Sequence, residues 1–331
     1  MKHATRRWFC AGILAPALLA GCASVELSGP EAGGLRGDIA VRRLALLPEG
    51  VLETSGLALV EGRLWTINDS GDGAVIYQLD EAATGIEKQL FLEGARNVDW
   101  EALAFDGRAL YIADCGNNRG DRPVLDLYRV PVEFLAAPDR SRIGYRRMRF
   151  SYGERLEVRA SRDHDYDCEA LGAVGDELWL FSKNRGDGHS RLYRLDSHAA
   201  EQEVFSSARY PVDGLVTAAD YDPGSRRLVL LGYSRERMPG HSFLWLVPVL
   251  DASPDWSGAR RYRLETYSQW EAISWDGPRR LLLTTERNPW GMRRSARSGW
   301  MRRASRCGLA GPPWPTIPGS GQKGPRQDAI N

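Results

Sequence analysis

The sequence predicts an all-β chain folded as a β-propeller, and three observations predict it. A short phrase returns five times, a second-layer strand motif returns four times, and the turns between carry hairpin residues. The phrase is an apolar strand opened by a small or acidic residue, a Gly-containing turn, and a second strand ending in polar residues. Its copies begin at Ser55 (SGLALVEGRLWTIND), Glu101 (EALAFDGRALYIAD), Glu169 (EALGAVGDELWLFS), Thr217 (TAADYDPGSRRLVLLG) and Glu271 (EAISWDGPRRLLLTTE). Self-similarity at a spacing of roughly 45–55 residues marks a propeller, one repeat per four-stranded blade. Five blades are visible, with six expected if an intact homologue continues further.

Each repeat parses into four strands, and residues 39–291 read as one unit. The second repeat divides into 101–105, 108–114, 125–132 and 146–152. Its first hairpin turns on Asp106-Gly107, a strong two-residue turn signal, which the fifth repeat reuses at Asp276-Gly277. A two-residue loop pairs Phe105 with Arg108 and Asp99 with Asp114. The third strands resemble one another: VIYQLD (75–80), DLYRVP (126–131), RLYRLD (191–196) and FLWLVP (243–248). Their apolar and aromatic residues suit blades packed face to face. The fifth repeat supplies two strands and then breaks off. Residues 39–46 (IAVRRLAL) are placed to give its fourth strand, and no third strand is legible, which leaves a defective seam with exposed strand edges.

The two ends differ from the body. Lys2, Arg6 and Arg7 precede an apolar stretch, Trp8 to Leu19, too short to span a bilayer. Leu19-Ala20-Gly21-Cys22 resembles a bacterial lipobox, which makes residues 1–21 a signal peptide, Cys22 the lipidated N-terminus and 22–38 a linker. The anchor then holds the mature protein at the outer membrane, facing the periplasm. Thr5-Arg6-Arg7-Trp8-Phe9 also resembles the core of a twin-arginine signal, so Sec and twin-arginine export both stand. Residues 292–331 shift to Arg, Ser, Gly and Pro, with eight basic residues against one acid. This tail reads as disordered or as the product of a shifted reading frame. Taking its +7 and the +3 of residues 1–21 from the +1 of the whole chain leaves the body at −9. No nucleic-acid partner is expected of such a body.

The polar strand ends are where chemistry gathers. In a propeller the first strands line the axis, and corresponding ends meet at one mouth. Asp99, Glu101 and Asp114 from the second repeat, Asp167 and Glu169 from the third, and Glu271 from the fifth are candidate metal ligands there. Ser55, Asn68 and Asp69 from the first repeat, and Thr217 and Asp220 from the fourth, are expected at the same face. Converging oxygen ligands suit Ca²⁺, and carboxylates packed without a cation raise one another's pKa. The alternative is that the acids cap strands through backbone N–H groups, or pair with Lys183, Arg119 and Arg185. Asn68, Asp69, Asn117, Asn118 and Arg119, on polar Gly-bearing loops, are candidate ligand-binding residues. Asp163-His164-Asp165-Tyr166-Asp167-Cys168-Glu169 begins like an EF-hand loop, but Cys168 and Val174 replace its Gly and its bidentate Glu. Cys115 and Cys168 should lie on one rim, as a disulfide or as two separate thiols.

There is no GxSxG, HExxH or CxxC, and no phosphate-cradling loop. His164, His189, His198 and His241 show no ligand spacing.

The segments SGLAL…LWTINDSG (55–71) and NVDWEALAFDGRALYIADCGNNR (97–119) resemble a family of secreted bacterial propeller lipoproteins. That family is similar at a distance to phytase-like and lactonase-type propellers. The resemblance covers 55–195 well and 214–288 loosely. It implies a divalent ion at the axis held by acids and amides, and Asp99, Glu101, Asn117 and Asn118 fit its pattern. The catalytic roles of phytases and lactonases do not carry over, because their motifs are not matched.

The expectation is an envelope lipoprotein binding a small-molecule or protein ligand at a Ca²⁺-bearing channel mouth. The alternative is a metal-dependent hydrolase of a phosphoester or lactone, with Glu101 or Glu169 as base and Lys183 or Arg119 steadying the anion. A scaffold whose polar ends only cap strands is the third reading.

Overall fold

The computed structural model describes residues 20–27, 38–155, 157–162, 164–235 and 240–286. Just over half of them lie in strands, arranged in five sheets whose four main strands pair antiparallel. Blade one is Thr54–Val60, Arg63–Asn68, Val75–Leu79 and Ile86–Leu92. Blade two is Trp100–Phe105, Ala109–Asp114, Leu125–Pro131 and Arg146–Tyr152. Blade three is Cys168–Val174, Glu177–Ser182, Ser190–Asp196 and Ser206–Tyr210. Blade four is Leu215–Asp222, Arg227–Tyr233, Ser242–Leu250 and Arg260–Leu264. The first strands of successive blades touch in cyclic order, and that of blade five touches that of blade one. The five-bladed propeller predicted from the repeats is the fold observed.

The blades run to more than four strands where a linker adds an edge. Arg142–Ile143 pairs in parallel with the last strand of blade one, and Glu201–Val204 with that of blade two. Asp38–Ile39 does the same for blade four. Each added strand lies shortly before the fourth strand of the next blade, so the chain ties one blade to its neighbour as it crosses. These ties cover edges that would otherwise offer unpaired backbone groups.

Apolar residues on both faces of each sheet build one core between each pair of neighbouring blades. Trp65, Ile76, Trp100 and Ile112 pack between blades one and two. Tyr111, Phe150, Leu180 and Tyr193 pack between two and three. Trp179, Phe181, Leu230 and Val247 fill the next seam, and Val229, Leu244, Trp270 and Leu283 the one after. Burial on both faces is why the strands read as continuous apolar runs.

Blade five corrects the sequence expectation of a missing strand. Its order is Trp270–Trp275, Arg280–Thr285, Gly21–Glu26, Arg42–Leu46. The third strand therefore comes from the N-terminal side, within the segments read as leader end and linker. Gly21–Glu26 pairs antiparallel with Arg280–Thr285 over six residues, from Gly21 opposite Thr285 to Glu26 opposite Arg280. The fourth strand falls inside 39–46 as expected. The sequence reading missed the third because GCASVE (21–26) lacks the aromatic residues of the other third strands. Its small side chains fit a slot filled from both faces: Cys22 is 1% exposed, among Ala45, Leu47 and Val75. An acyl group on the Cys22 Sγ and the seating of this strand exclude one another. Residues 1–19 and 287–331, with most of the segment read as an export signal, Cys10, Cys307 and the basic tail, lie outside the described residues. Among those described, no helix is long and apolar enough to cross a membrane.

If Gly21–Glu26 closes blade five, Val25→Asp should be costly. Val25 is wholly buried, and an unpaired carboxylate there should cost about 3 kcal/mol or more. Leu46→Asp, at an exposed site on the neighbouring strand, should stay within about 0.5 kcal/mol. Urea unfolding of both variants checks this, and equal midpoints would remove the strand from the blade.

Candidate functional site

All five inner strands carry the same irregularity. The register slips between Thr54 and Gly56, Trp100 and Ala102, Cys168 and Ala170, Val216 and Ala218, and Trp270 and Ala272. The extra residue in each bulge is Ser55, Glu101, Glu169, Thr217 or Glu271, the residue that opens each sequence repeat. A bulge re-aims one side chain and bends the strand. It also corrects the register expected for the second hairpin. Phe105 pairs with Leu110, and Trp100 with Asp114. The turn is longer than two residues because Asp106 Oδ1 accepts the N–H groups of Arg108 and Ala109, each at 2.7 Å.

The bulge residues divide by chemistry. Ser55 Oγ donates to Trp100 O at 2.6 Å, and Thr217 Oγ1 donates to Trp270 O at 2.7 Å. These hydroxyls tie blade one to two and blade four to five. The glutamates do no such capping. Glu169 Oε2 accepts from Lys183 Nζ at 2.9 Å. Glu101 is 8% exposed and has no hydrogen-bond partner among the described residues. Below the ring, the axis is lined by Gly56, Leu57, Ala102, Leu103, Ala218, Ala219, Ala272 and Ile273 around about 10 Å³ of space. That is room for roughly one water, so the mouth has a blind apolar floor. A Cβ at Gly56 would lie 2.7 Å from the Leu103 backbone nitrogen, so only glycine lets blades one and two meet here.

Asp69, Asp99 and Glu101 bring one carboxylate oxygen each within 4.8 Å of one another. Asp69 follows the second strand of blade one, and its N–H donates to Glu53 O at 2.8 Å. Asp99 is fixed by its backbone: its N–H donates to Asp114 Oδ1 at 3.1 Å, and Gly116 N–H donates to its carbonyl at 3.0 Å. A Cβ at Gly116 would fall on Asp99 Oδ2 and lie 2.5 Å from Glu101 Oε1. Burial raises the carboxyl of Asp69 to about 7, helped by the charges of Asp99 and Glu286. Burial likewise pushes Glu101 well above the carboxylate range, with Glu169, Asp69 and Asp99 adding repulsion. Glu271 rises to about 8, first by burial and then by Glu286 and Asp69, although Lys183 opposes the shift. Burial disfavours the Lys183 charge, but Glu169, Tyr233 and Glu271 outweigh it and hold the ammonium protonated.

Glu169 is paired with Lys183, and Asp114 and Asp167 are paired with arginines, whereas Glu271 has no side-chain partner among the described residues. Asp114 is fully buried, 3.0 Å from Arg122 and also accepting the backbone of Val98 and Asp99. Asp167 accepts Asn117 N–H at 2.8 Å and pairs with Arg185 at 2.8 Å. Asp114 and Asp167 therefore frame the cluster rather than join it. Asn68 bridges Glu53, Gly50 and Asp72, and Asn117 bridges Tyr166 and Arg122. Both amides are consumed in holding loops. Asn118 accepts from Arg185 at 2.7 Å, and Arg119 is exposed with no side-chain partner among the described residues. Asp220 is displaced from the expected face. It accepts Trp275 N–H at 2.8 Å, at the far end of the inner strand that Glu271 opens. In the acidic loop, Asp165 pairs with Arg191 at 2.8 Å and accepts Gly186 N–H; Asp163 lies outside the described residues. Cys115 and Cys168 form a disulfide joining blades two and three at this rim. Sequence reasoning missed Arg122 and Glu286. Arg122 lies in a polar loop with no strand pattern to place it, and Glu286 ends the LLLTTE copy, a position read only as a strand terminus.

No protein-family model matches the chain, and no curated protein matches it. Solved structures do. Hydrazine synthase from Kuenenia stuttgartiensis is 12% identical, with a TM-score of 0.38 over 69% of this chain and 72% of that one. The Dos1 propeller is 12% identical, with a TM-score of 0.36 over 78% and 64%. The designed Ika4 protein is 14% identical, with a TM-score of 0.30 over 61% and 96%. At these scores the likenesses carry no argument, and the propeller rests on the sheet order described above.

Arg122→Ala should leave the Asp114 carboxylate buried and unpaired, at a cost of about 3 kcal/mol. Denaturant unfolding would show it, and a change under 1 kcal/mol would mean that Asp114 is held by its backbone donors alone.

Proposed function

We propose that this chain is an envelope lipoprotein whose propeller mouth binds a divalent cation, Ca²⁺, between Asp69, Asp99 and Glu101, and presents that mouth to a ligand or protein partner. Glu101 carries the reading. A glutamate that is buried, without a hydrogen bond and aimed at two further carboxylates is costly unless it stays protonated or meets a cation. The donor set is all oxygen, which suits Ca²⁺. The blind apolar floor favours a ligand seated at the mouth over one passing along the axis. The anchor rests on the lipobox resemblance. Acylated Cys22 requires Gly21–Glu26 to leave the slot it fills in blade five. Mass measurement of the membrane-extracted protein tests the anchor, and an unmodified Cys22 would end that part of the reading.

A second reading is a metal-dependent hydrolase of a phosphoester or lactone. The observation favouring it is the protonated Lys183 beside Glu169, a cation able to steady an anion next to the acid cluster.

The deciding experiment is a thermal melt of the full chain in EDTA and in millimolar Ca²⁺. At a hundredfold excess over Kd the expected stabilisation is about 2.7 kcal/mol, a midpoint rise of roughly 5–10 °C for a body of this size. Identical midpoints would sink the cation reading. Glu101→Gln should abolish the rise while keeping a cooperative melt. Loss of turnover on phosphoester or lactone substrates in that variant, against activity in the parent, would favour the hydrolase.

The pH dependence has a definite sign. Asp69 and Glu271 hold protons more tightly folded than unfolded, to about 7 and about 8. In EDTA their contribution to stability is full below about pH 4 and is lost as pH rises through 7 and 8. Ca²⁺ binds the ionised form, so the Ca²⁺-dependent rise should grow between pH 6 and 8. A rise that is flat with pH would place the ion elsewhere.

A further inference from the structure

Beside the acid mouth, on the outer side of the loop that carries Asp99, lies a cavity of about 320 Å³. Its walls include Arg96, Val98, Asp126, Tyr128, Tyr145 and Arg147. The size falls at the small end of ligand pockets. The two tyrosine rings meet edge to face at 5.0 Å and 85°, and Val98, 51% exposed, adds an apolar rim.

The charge in this cavity is opposite to that of the mouth. Arg147 forks onto Asp126, with Nε and an Nη donating to the two carboxylate oxygens at 2.8 Å each. That pair cancels itself and fixes the guanidinium plane. Arg96 has no such partner: its guanidinium is exposed and pairs with no described residue. Its backbone is nonetheless anchored, because its carbonyl accepts from Tyr128 OH at 3.1 Å and from Trp100 Nε1 at 3.2 Å. An uncompensated arginine on a held backbone, lining the same cavity as two tyrosines, is therefore set into a body that is otherwise strongly acidic.

We infer that this cavity is a binding site for a small organic anion with a flat apolar body, its carboxylate or phosphate on Arg96 and its ring against Tyr145 and Val98. The guanidinium presents two donors to either anion. The half-buried Tyr145 ring, backed by the buried Tyr128, offers aromatic surface for stacking. The site is separate from the proposed cation site. Asp114 stands between them, accepting the Asp99 N–H on one side and lying 3.3 Å from Tyr128 OH on the other.

The test is calorimetric titration of the full chain with benzoate and with phenyl phosphate, in EDTA so that the mouth holds no cation. Saturable binding of at least one probe at millimolar concentration or tighter is expected. Preference for benzoate assigns the site to carboxylates, and preference for phenyl phosphate to phosphate monoesters. Arg96→Ala should weaken binding at least tenfold. Arg108→Ala, an exposed arginine at a turn remote from the cavity, should leave binding unchanged. Because Arg96 is exposed, its variant should melt as the parent does; Tyr145→Ala supplies a second variant with the same expected loss. Absence of binding by both probes up to 10-fold above millimolar, equal affinity in Arg96→Ala, or equal binding of uncharged benzyl alcohol would each overturn the inference.

Discussion

Everything at the mouth depends on how closely five strands can approach one axis. The space left at the centre holds about one water, so a side chain in the inner strands either is small or must turn away. The repeats answer this with one device, a bulge followed by Gly or Ala: Ser55-Gly56, Glu101-Ala102, Glu169-Ala170, Thr217-Ala218 and Glu271-Ala272. The small residue lets the blades close, and the bulged residue is put on the ring. Where the ring residue is a hydroxyl, it ties neighbouring blades. Where it is a glutamate, its charge is confined in a poorly hydrated space, and the raised pKa values follow from that burial.

The charges around the ring are sorted by partner. Arg122 and Arg185 neutralise Asp114 and Asp167 in the frame, and Lys183 serves Glu169. Asp69, Asp99, Glu101, Glu271 and Glu286 remain with protons or a cation as the means of relief. The framing arginines hold the loops rigid, so the carboxylates cannot relax apart without breaking buried pairs. The same rigidity makes the cluster a site rather than a loose acidic surface.

Much of this was legible in the sequence. The repeat starts are the bulge residues themselves, and the third-strand motifs at 75–80, 126–131, 191–196 and 243–248 coincide with the third strands observed, the first overrunning its strand by one residue. Continuous apolar runs and turn signals place these because both faces of each sheet are buried. Three features were not legible. The register of the second hairpin was off because the Asp106 side chain holds a longer turn and the bulge adds a residue. Asp114 and Asp167 looked like ligands because a carboxylate at a strand end carries no mark of the arginine that will neutralise it. The strand Gly21–Glu26 was hidden because its match to the fifth blade is a matter of volume and long-range pairing, not of local pattern.

That last strand sets an order of events. Gly21–Glu26 is synthesised before blades one to four, and Arg280–Thr285, to which it pairs, after them. Blades one to four can form in sequence as they are synthesised, while the fifth waits for both ends. During that interval a short, small-residue strand must remain extended and unclaimed by other strand edges. Any peptidase or acylating enzyme that acts on Cys22 has this same interval in which to reach it. If such an enzyme acts on this chain, processing and blade closure compete, and the outcome turns on whether the last hairpin is complete when the enzyme arrives.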